Sequence, residues 1–539
     1  MTDKFTLKEI IEKLHLSESD YLPFGYDKAK IITDNLSNTR TRKGKIILCT
    51  AITPTKAGEG KTTTAIGLAD GLSLLGADAM LCLREPSLGP VFGVKGGGAG
   101  GGEEILIPEE DINLHFTGDI HAISAVNNLI VAMIDNELYQ HSTLQVDPER
   151  IVMPRCMDMN ERSLRDITVS QNDPHTVPHQ SGFVITAASE VMAVFCLAKN
   201  EEDFLNRIEG IMVAYNTSGE PIYVRDLEMR NAIQKLIHTA LYPNLVQTKY
   251  KTPALVHGGP FANIAHGTNS IISTDLALKL SDYVVTEAGF GSDLGMEKYL
   301  DIVSQIGSFH PSLIVMVATI RALKLHGGVK FENLNESNPK AVSIGLANLK
   351  KHIENVGLYN IPVLVSVNRF KSDTDDELRV VTDYLIRENI DYAINTSYLN
   401  GPSGAYELAE KAKELVDAGY DRGFAPIITH SMNVKDKINT IAREIYNASD
   451  VEFSDLAKKQ ISSLKHSGFG DFDVCISKTP NSLSDDPKLL NVPKKHILHV
   501  RSIRLFTGAR FIVPLTGDVF TMPGLSKVPA AKNMESTEK

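Results

Sequence analysis

The sequence predicts an α/β protein with a doubly wound, mostly parallel sheet that carries a P-loop, accompanied by two smaller α/β domains. Short apolar runs rich in β-branched residues recur along the chain between Gly, Pro and polar residues. Helical segments follow most of these runs, and this alternation is typical of βαβ units. One run leads through a Gly-containing loop into a Thr-rich helix start, which is the setting that a P-loop requires.

The elements follow one another in an order that suggests three domains. We expect buried strands at 46–52, 79–83, 182–187, 283–286, 313–318 and 363–368. Helices are expected at 63–75, 407–418, 433–448 and 455–466, with β-like segments at 496–503 and 509–514. Because 539 residues exceed what one hydrophobic core can hold, we divide the chain into a P-loop domain at 1–355, an α/β domain at 356–457 and a C-terminal α+β domain at 458–539.

Composition excludes several classes of partner. The chain is 42% hydrophobic and 22% charged, with a net charge of −11, so we expect neither nucleic-acid nor membrane-surface binding. No apolar run reaches the ~18–20 residues that a membrane span needs, and residues 1–14 lack the apolar core of a secretory signal. The five scattered cysteines form no CxxC pair, which favours a reducing, cytoplasmic location.

Residues 46–64 read IILCTAITPTKAGEGKTTT and predict a phosphate-binding loop. Backbone amides of the loop and the following helix would surround phosphates, Lys61 would add a positive charge, and Thr62 would hold Mg²⁺. Thr55 stands where the common pattern has its first glycine, and Gly58 relaxes the loop instead. The alternative is an ordinary glycine turn that caps a helix. The predicted nucleotide-binding residues are Thr55, Lys56, Ala57, Gly58, Glu59, Gly60, Lys61 and Thr62. Alone, this motif fits any P-loop ATPase, including MinD-like ones.

A second anion site is predicted after the next strand. Arg84 directly follows the run at 79–83, and ligands of open α/β sheets gather at the carboxyl ends of strands. A guanidinium there can hold a carboxylate or an acyl phosphate. Six of the seven residues at 96–102 are glycine, so backbone amides can approach an anion closely. The alternative is a surface arginine beside a flexible loop.

Asp119 and two histidines are less specific signals. Asp119 would orient a water, a metal or a nucleophile, or it would cap the helix that begins near Ile120. His257 and His266 lie nine residues apart without a neighbouring acidic or Cys ligand. Because this is not a usual zinc spacing, packing of a polar loop explains them better than metal binding.

Several long blocks of the sequence closely resemble the formate–tetrahydrofolate ligase family. The resemblance extends from about residue 10 to residue 531, nearly the whole chain. Its blocks are REPSLGPVFGVK at 84–95, DINLHFTGDIHAI at 111–123, HGGPFANIAHG at 257–267, VATIRALKLHGG at 317–328 and MPGLSKVPAA at 522–531.

The resemblance implies a two-step ligase reaction. Formate attacks the γ-phosphate of MgATP to give formyl phosphate, and N10 of tetrahydrofolate then takes the formyl group and expels phosphate. It also implies a homotetramer, activation by K⁺ or NH₄⁺, and catalytic roles for Arg84, Lys61, Asp119 and Glu85. Phe290, Phe370, Lys371 and Tyr398 would form the pocket for folate and adenine, and Thr62 would hold the Mg²⁺ of ATP.

The chain departs from the family pattern in that pocket. Lys371 stands where the family usually has proline, and Tyr398 replaces a stacking tryptophan. Pro402 and Ser403 replace Gly and Glu, and KTPNS at 478–482 replaces the usual KTQYS. Phe370 and Tyr398 can still sandwich a flat ring, although with less contact area.

Two alternatives to the ligase stay open at this point. A divergent paralogue would bind ATP and formate but would have lost or changed the folate acceptor. A MinD-like switch ATPase would hydrolyse ATP without formate, although such a protein has no need of the second anion site at Arg84. We expect a working ligase, because the predicted anion-binding residues are all present.

Overall fold

A computed structural model of the chain describes residues 7–37, 39–56, 58–95, 97–172, 174–419, 423–517 and 519–534. Its strands in chain order are β1 (Tyr21–Pro23), β2 (Ala29–Ile31), β3 (Lys45–Ala51), β4 (Ala79–Leu83), β5 (Gly100–Gly101), β6 (Glu104–Ile107), β7 (Val146–Ile151), β8 (Arg155–Met157), β9 (Ile167–Val169), β10 (His179–Ser181), β11 (Phe183–Ile185), β12 (Met212–Asn216), β13 (Pro221–Tyr223), β14 (Asn244–Thr248), β15 (Pro253–Val256), β16 (Tyr283–Glu287), β17 (Pro311–Thr319), β18 (Val363–Asn368), β19 (Tyr392–Asn395), β20 (Asp450–Phe453), β21 (Asp473–Val474), β22 (Ile497–Phe506) and β23 (Phe511–Thr516).

The helices lie between the strands. They are α1 (Lys8–Lys13), α2 (Thr33–Ser37), α3 (Lys61–Leu74), α4 (Leu88–Pro90), α5 (Glu109–Asn113), α6 (Asp119–Tyr139), α7 (Glu190–Leu197), α8 (Glu201–Glu209), α9 (Arg230–Ile237), α10 (Ile271–Leu280), α11 (Ser304–Gly307), α12 (Ile320–His326), α13 (Pro339–Gly357), α14 (Asp375–Arg387), α15 (Ser397–Asn400), α16 (Tyr406–Asp417), α17 (Val434–Thr440) and α18 (Asp455–His466). Shorter 3₁₀ or π turns occupy Glu18–Asp20, Val91–Lys95, Arg162–Leu164, Thr186–Ala188, Val224–Leu227, Ser292–Met296, Tyr299–Val303, Phe331–Asn333, Gly401–Ala405, Ile441–Ile445 and Ala530–Lys532.

One large mixed sheet organises the molecule. Its strand order is β1-β2-β14-β15-β4-β16-β3-β17-β18-β19, and the pairs from β15 to β19 are all parallel. The strands β1, β2, β14 and the β5–β6 hairpin add an antiparallel edge. The predicted α/β class with a mostly parallel sheet is therefore confirmed.

Apolar residues of the central strands alternate between two clusters, as successive side chains of a strand point to opposite faces. On β3, Ile46 and Leu48 join one cluster, whereas Ile47 and Cys49 join the other. The second cluster includes residues of α3 and α16, and the first includes residues of α10, α12 and α13. Each fully buried aliphatic side chain stabilises the fold by about 1.5–3 kcal/mol, so burial on both faces holds the central strands rigid.

Two helix starts show how local sequence sets the boundaries. Thr374 caps α14 by accepting from the Glu377 amide, while the Glu377 carboxylate accepts from the Thr374 amide. Such a reciprocal pair satisfies two amides that a helix start leaves open. In contrast, α3 begins after Gly60 with no side-chain cap, so its first amides face the loop and any anion bound there.

One strand prediction is wrong in its position. The run predicted at 182–187 forms β11, which pairs in parallel with β8 outside the large sheet. The remaining predicted strands at 46–52, 79–83, 283–286, 313–318 and 363–368 all lie in the large sheet, within a few residues of the predicted bounds. The predicted helix at 433–448 ends earlier as regular α-helix, at Thr440, and continues as a π turn. No helix in the described part of the chain is long and apolar enough to cross a membrane.

Candidate active site

The carboxyl ends of three neighbouring parallel strands lie side by side and bring the predicted anion-binding groups together. β16 lies between β3 and β4, with Glu287 opposite Cys49 and Thr286 opposite Cys82. The loop of residues 52–60 leaves the end of β3, Arg84 follows β4, and Glu287 is the last residue of β16. The two anion sites predicted from the sequence therefore share one edge.

The loop between β3 and α3 is folded around a buried carboxylate. Glu59 Oε1 accepts from the Thr55 amide at 2.6 Å, and Glu59 Oε2 accepts from the Thr319 hydroxyl. Gly58 and Gly60 have φ angles of 77° and 73°, a left-handed conformation that glycine adopts without steric cost. Lys61 and Thr62 are half-buried, Lys56 is exposed, and Ala57 lies outside the described residues. This geometry agrees with an amide-lined loop at a helix N-terminus.

Two neutral histidines anchor the start of this loop at Thr53. The Thr53 amide donates to His352 Nε2 at 2.9 Å, and the Thr53 carbonyl lies 3.0 Å from His326 Nε2. Burial lowers the pKa of His326 and of His352 to about 4 each. His326 Nδ1 in turn accepts from the Asn491 amide at 2.9 Å, which ties the C-terminal region to the loop.

The far side of the loop is anchored by asparagines at the ends of β18 and β19. Asn368 Nδ2 donates to the Glu59 carbonyl at 3.1 Å and to the Thr64 hydroxyl at 2.8 Å. Asn395 Nδ2 donates to Asn368 Oδ1 at 3.1 Å. These bonds place the β18 and β19 loops, which carry Phe370 and Tyr398, beside α3.

Arg84 points across the strand edge toward β16. Its Nη2 donates to Glu287 Oε1 at 3.2 Å and its Nη1 to the Pro260 carbonyl at 3.4 Å. The other oxygen of the same carboxylate, Glu287 Oε2, accepts from the Thr62 hydroxyl at 2.8 Å. The buried Nε of Arg84 has no hydrogen-bond partner within the described ranges.

Glu287 was missed by the sequence analysis, although a signal for it existed. The predicted strand at 283–286 stops one residue short of it. A charged residue directly after an apolar run was the same feature that singled out Arg84 after 79–83.

Glu85 and Asp119 lie near each other but differ in their contacts. Asp119 forms a buried ion pair with Lys30, with Nζ and Oδ1 2.7 Å apart, and accepts from Asn244 Nδ2 at 2.6 Å. Burial, with a smaller contribution from Asp119, raises the pKa of Glu85 well above its ordinary value. Asp119 is the first residue of α6 and Gly118 its cap, so the alternative of Asp119 as a helix cap is wrong.

The two histidines of the 257–267 block are both buried and neutral. His257 Nε2 donates to the Ala240 carbonyl at 2.8 Å and Nδ1 contacts the Ser270 hydroxyl at 2.6 Å. Both ring nitrogens of His266 are buried without a hydrogen-bond partner among the described residues. Burial lowers the pKa of His266 to about 3, with smaller contributions from the charges of Lys298 and Arg84, so this ring lies within electrostatic range of Arg84.

One of the aromatic residues predicted to bind flat rings, Phe370, lies beside the loop. Phe370 packs under the guanidinium of Arg321, whose Cζ lies 4.1 Å from the ring centroid, and Arg321 also donates to the Gly58 carbonyl. Tyr398 is 52% exposed, Lys371 is exposed, and Phe290 is half-buried. Phe290 has a φ of 59°, a strained conformation for a bulky side chain that is typical of functional loops.

The β5–β6 hairpin, with Gly102 in its turn, packs against Tyr398. The Glu103 amide donates to the Tyr398 carbonyl at 3.0 Å. A Cβ atom at Gly102 would lie 2.2 Å from that carbonyl oxygen and 2.9 Å from the ring. The β5–β6 hairpin can thus approach Tyr398 closely because its glycines have no side chains.

Comparison with known proteins agrees with this arrangement. The family model described as formate–tetrahydrofolate ligase matches residues 2–539. The formate–tetrahydrofolate ligase of Granulibacter bethesdensis is 48% identical to the chain over 522 residues, which cover 96% of this chain and 91% of that protein. The chain therefore belongs to the formate–tetrahydrofolate ligase family.

Proposed function

We propose that the chain ligates formate to tetrahydrofolate with ATP, giving 10-formyltetrahydrofolate, ADP and phosphate. The observation that carries this proposal is that the residues of the two predicted anion sites lie at neighbouring strand ends. The amide-lined loop before α3 suits the phosphates of ATP, and Arg84 suits a carboxylate or an acyl phosphate. Glu287 touches both sites, at 2.8 Å from the Thr62 hydroxyl and 3.2 Å from Arg84 Nη2.

In the first step, a formate oxygen attacks the γ-phosphorus of ATP, and the bond to the ADP oxygen breaks. Such a transfer depends on positioning and charge neutralisation more than on covalent chemistry. Lys61 at the start of α3 neutralises phosphate charge, and Arg84 holds formate and then the acyl phosphate. The Thr62 hydroxyl is an oxygen donor of the kind that Mg²⁺ prefers, and the bound ion would add positive charge at the phosphates.

In the second step, N10 of tetrahydrofolate attacks the formyl carbon, the bond from that carbon to the phosphate oxygen breaks, and the N10 proton passes to the released phosphate or to water. Negative charge grows on the carbonyl oxygen, and preorganised donors such as the Arg84 guanidinium stabilise it. Burial raises the pKa of Glu85 well above its ordinary value, which lessens the negative charge beside the anion. Asp119, held by Lys30 and Asn244, acts as an orienting group rather than as a free base.

The acceptor binds between aromatic residues that flank the nucleotide loop. Phe370 and Tyr398 follow the adjacent strands β18 and β19, whose ends are joined by the bond between Asn368 and Asn395. We place the flat ring of the folate or the adenine between these side chains and Phe290. The smaller ring of Tyr398 and the charge of Lys371 weaken folate binding without removing it.

We propose a doubly wound P-loop core at 1–355 with smaller domains at 356–457 and 458–539, a homotetramer, and activation by K⁺ or NH₄⁺. The five cysteines are buried free thiols, in keeping with a reducing cytoplasm.

The direct test is a substrate-omission assay. With K⁺ and Mg²⁺ present, ADP is measured together with 10-formyltetrahydrofolate, the latter by its absorbance after acid conversion. We expect both products in equal amounts, and only when ATP, formate and tetrahydrofolate are all present. ADP formation that ignores formate would support the switch ATPase instead. Nucleotide binding without any formyl-folate at saturating folate would support the paralogue with an altered acceptor.

A further inference from the structure

A single carboxylate lies between the two halves of the site. Glu287 is buried, with 5% of its surface exposed. Its Oε2 accepts from the Thr62 hydroxyl at 2.8 Å, and its Oε1 accepts from Arg84 Nη2 at 3.2 Å. Thr62 belongs to the nucleotide loop and Arg84 to the second anion site, so one side chain contacts both.

The backbone holds this carboxylate in a fixed place. Glu287 ends β16, whose parallel neighbours β3 and β4 carry the nucleotide loop and Arg84. Just beyond it, the Ala288 amide donates to the Cys49 carbonyl and the Gly289 amide to the Gly267 carbonyl, both at 3.0 Å. A Cβ atom at Gly289 would lie 2.9 Å from Arg84 Nη1, so the guanidinium packs closely against this backbone.

The hydrogen bond from Thr62 to Glu287 fixes the direction of the hydroxyl proton. When the hydroxyl proton points to Glu287, the lone pairs of the oxygen are left for a cation on the phosphate side. Oxygen lone pairs are what Mg²⁺ needs from a ligand. Metal ligands are commonly oriented by such outer partners, whose loss typically costs about 10–100-fold in metal affinity or activity.

The bond to Arg84 fixes the direction of the guanidinium. With Nη2 held by Glu287 and Nη1 near the Pro260 carbonyl, the planar group cannot rotate freely. Its buried Nε remains without a partner within the described ranges. One carboxylate that bonds both Arg84 and Thr62 keeps the guanidinium at a fixed distance from the nucleotide loop.

We propose that Glu287 is a positioning residue that orients the Thr62 hydroxyl toward the magnesium ion of bound nucleotide and holds Arg84 in register with it. This inference rests on the proposed function for the identity of the ligands. Glu287 acts through Thr62 and Arg84, and both of its oxygens are needed because both partners donate hydrogen bonds.

Glu287→Gln separates the two contacts, because an amide offers an acceptor at one end and a donor at the other. We expect calorimetry with ADP to show wild-type binding that is tighter with Mg²⁺ than with EDTA. In the variant, the increase in ADP affinity that Mg²⁺ causes should be smaller by about tenfold or more. The affinity for ADP in EDTA should stay within about twofold of the wild-type value. Glu190→Gln is the control, since Glu190 is a half-buried glutamate that accepts from the Gly508 and Ala509 amides.

A double variant tests whether Glu287 acts through Thr62. Thr62→Val removes the hydroxyl, so adding Glu287→Gln to it should not reduce the magnesium-dependent gain any further. The formate KM should nevertheless rise in the double variant, because the hold on Arg84 is lost separately. Glu287→Asp keeps both oxygens on a shorter side chain, so it should restore part of the magnesium-dependent gain in ADP affinity and part of the wild-type formate KM. Thermal unfolding checks that each variant is folded.

The inference is overturned if Glu287→Gln matches Glu190→Gln in the magnesium-dependent gain and in the formate KM. It is also overturned if Thr62→Val and Glu287→Gln each reduce the magnesium-dependent gain in ADP affinity and the two reductions add up in the double variant. ADP binding does not depend on turnover. A wild type that binds ADP with a magnesium-dependent gain but makes no formyl-folate would therefore refute the proposed function alone.

Discussion

At the scale of single residues, Gly289 shows how closely the site is packed. A Cβ atom there would lie 2.9 and 3.2 Å from the two terminal nitrogens of Arg84 and 2.8 Å from Ala262 Cβ. Contacts below 3.0 Å force something to move, and the guanidinium is the more mobile partner. A side chain at this position would therefore displace Arg84 from its place against the Gly289 backbone.

We predict that Gly289→Ala lowers kcat/KM for formate by about tenfold to hundredfold, because a misplacement of about 1 Å is enough for such losses. ADP affinity should stay within about threefold, since the nucleotide loop is not displaced. Steady-state kinetics and calorimetry measure the two quantities. Gly357→Ala is the control, as no atom lies near its Cβ position, and it should leave both unchanged.

Arg84→Ala tests the guanidinium itself. Formate-dependent ADP formation should fall by about 10²–10³-fold, the usual effect of losing one donor to a developing anion. ADP binding, measured by calorimetry, should be largely kept, because the loop amides and Lys61 remain. Unchanged turnover in this variant would remove Arg84 from the mechanism.

Glu104 is a buried residue whose protonation gives the fold a pH dependence. Burial, followed by the neighbouring Asp70, raises the pKa of Glu104 to about 10, whereas an unfolded glutamate has a pKa of about 4.3. The folded chain therefore keeps a proton that the unfolded chain loses above pH ~4.3. Its stabilising effect is fully present below that pH and is lost as pH rises toward about 10.

Glu104→Gln removes this titration, so we predict that the variant gains stability over wild type as pH rises from 5 to 9. The gain is at most about 1.4 kcal/mol per pH unit for one proton. Urea unfolding at several pH values measures it. Glu103→Gln, one residue away and solvent-exposed, should show a flat difference, and an equally flat difference for Glu104→Gln would contradict the assignment.

At the scale of elements, the β5–β6 hairpin determines where the Tyr398 loop lies. The Glu103 amide bonds the Tyr398 carbonyl at 3.0 Å, and Gly102, with a φ of 65°, leaves room for the ring. The hairpin thus connects the glycine-rich segment, which the sequence analysis assigned to anion binding, with the predicted folate pocket.

We predict that Gly102→Ala raises the tetrahydrofolate KM by about fivefold or more, because the new methyl group pushes Tyr398 away and removes stacking contact. The ATP KM should change by less than about twofold. Gly76→Ala is the matched control: its φ of 78° imposes similar backbone strain, but its Cβ position faces open space. Equal effects of the two changes on the folate KM would mean that the hairpin does not support Tyr398.

Elements differ in how well the sequence predicts them. β3, β4, β16, β17 and β18 are buried on both faces, so each reads as a continuous apolar run. In contrast, β14 was missed, since Asn244 and Gln247 interrupt its apolar pattern although both are buried. The run at 182–187 looked like the others, and only tertiary packing decides that it pairs with β8.

The residues of the site also differ in how well the sequence predicts them. Arg84 and the nucleotide loop were predictable, because each follows an apolar strand directly in the sequence. The pairing of Asp119 with Lys30, 89 residues away, and the position of Glu287 between Thr62 and Arg84 depend on strand order. Strand order arises from crossover connections and cannot be deduced from local patterns alone.

At the scale of the whole molecule, buried polar contacts join the three proposed domains. Lys478 forms a fully buried ion pair with Asp293, with Nζ and Oδ2 2.9 Å apart. The Tyr359 hydroxyl donates to Asp301 at 2.8 Å, and these contacts cross both proposed boundaries. Removing one partner of such a pair leaves an uncompensated buried charge.

Lys478→Met is therefore expected to destabilise the chain by about 3–5 kcal/mol, measured as a shift in urea unfolding. Lys458→Met is the control, because Lys458 pairs with Asp455 at the exposed surface and should change stability by less than about 1 kcal/mol. A loss below about 1 kcal/mol for Lys478→Met would show that this ion pair does not hold the C-terminal region to the core.

In the proposed mechanism, formate rather than water attacks the γ-phosphate of ATP. The most direct measurement is the fate of oxygen in a reaction with ¹⁸O-labelled formate, followed by mass spectrometry of the released phosphate. The account predicts one ¹⁸O atom in each phosphate, because the formate oxygen bonded to phosphorus stays there when N10 expels it. Phosphate without the label would mean that water, not formate, attacks ATP, and would contradict the ligase mechanism.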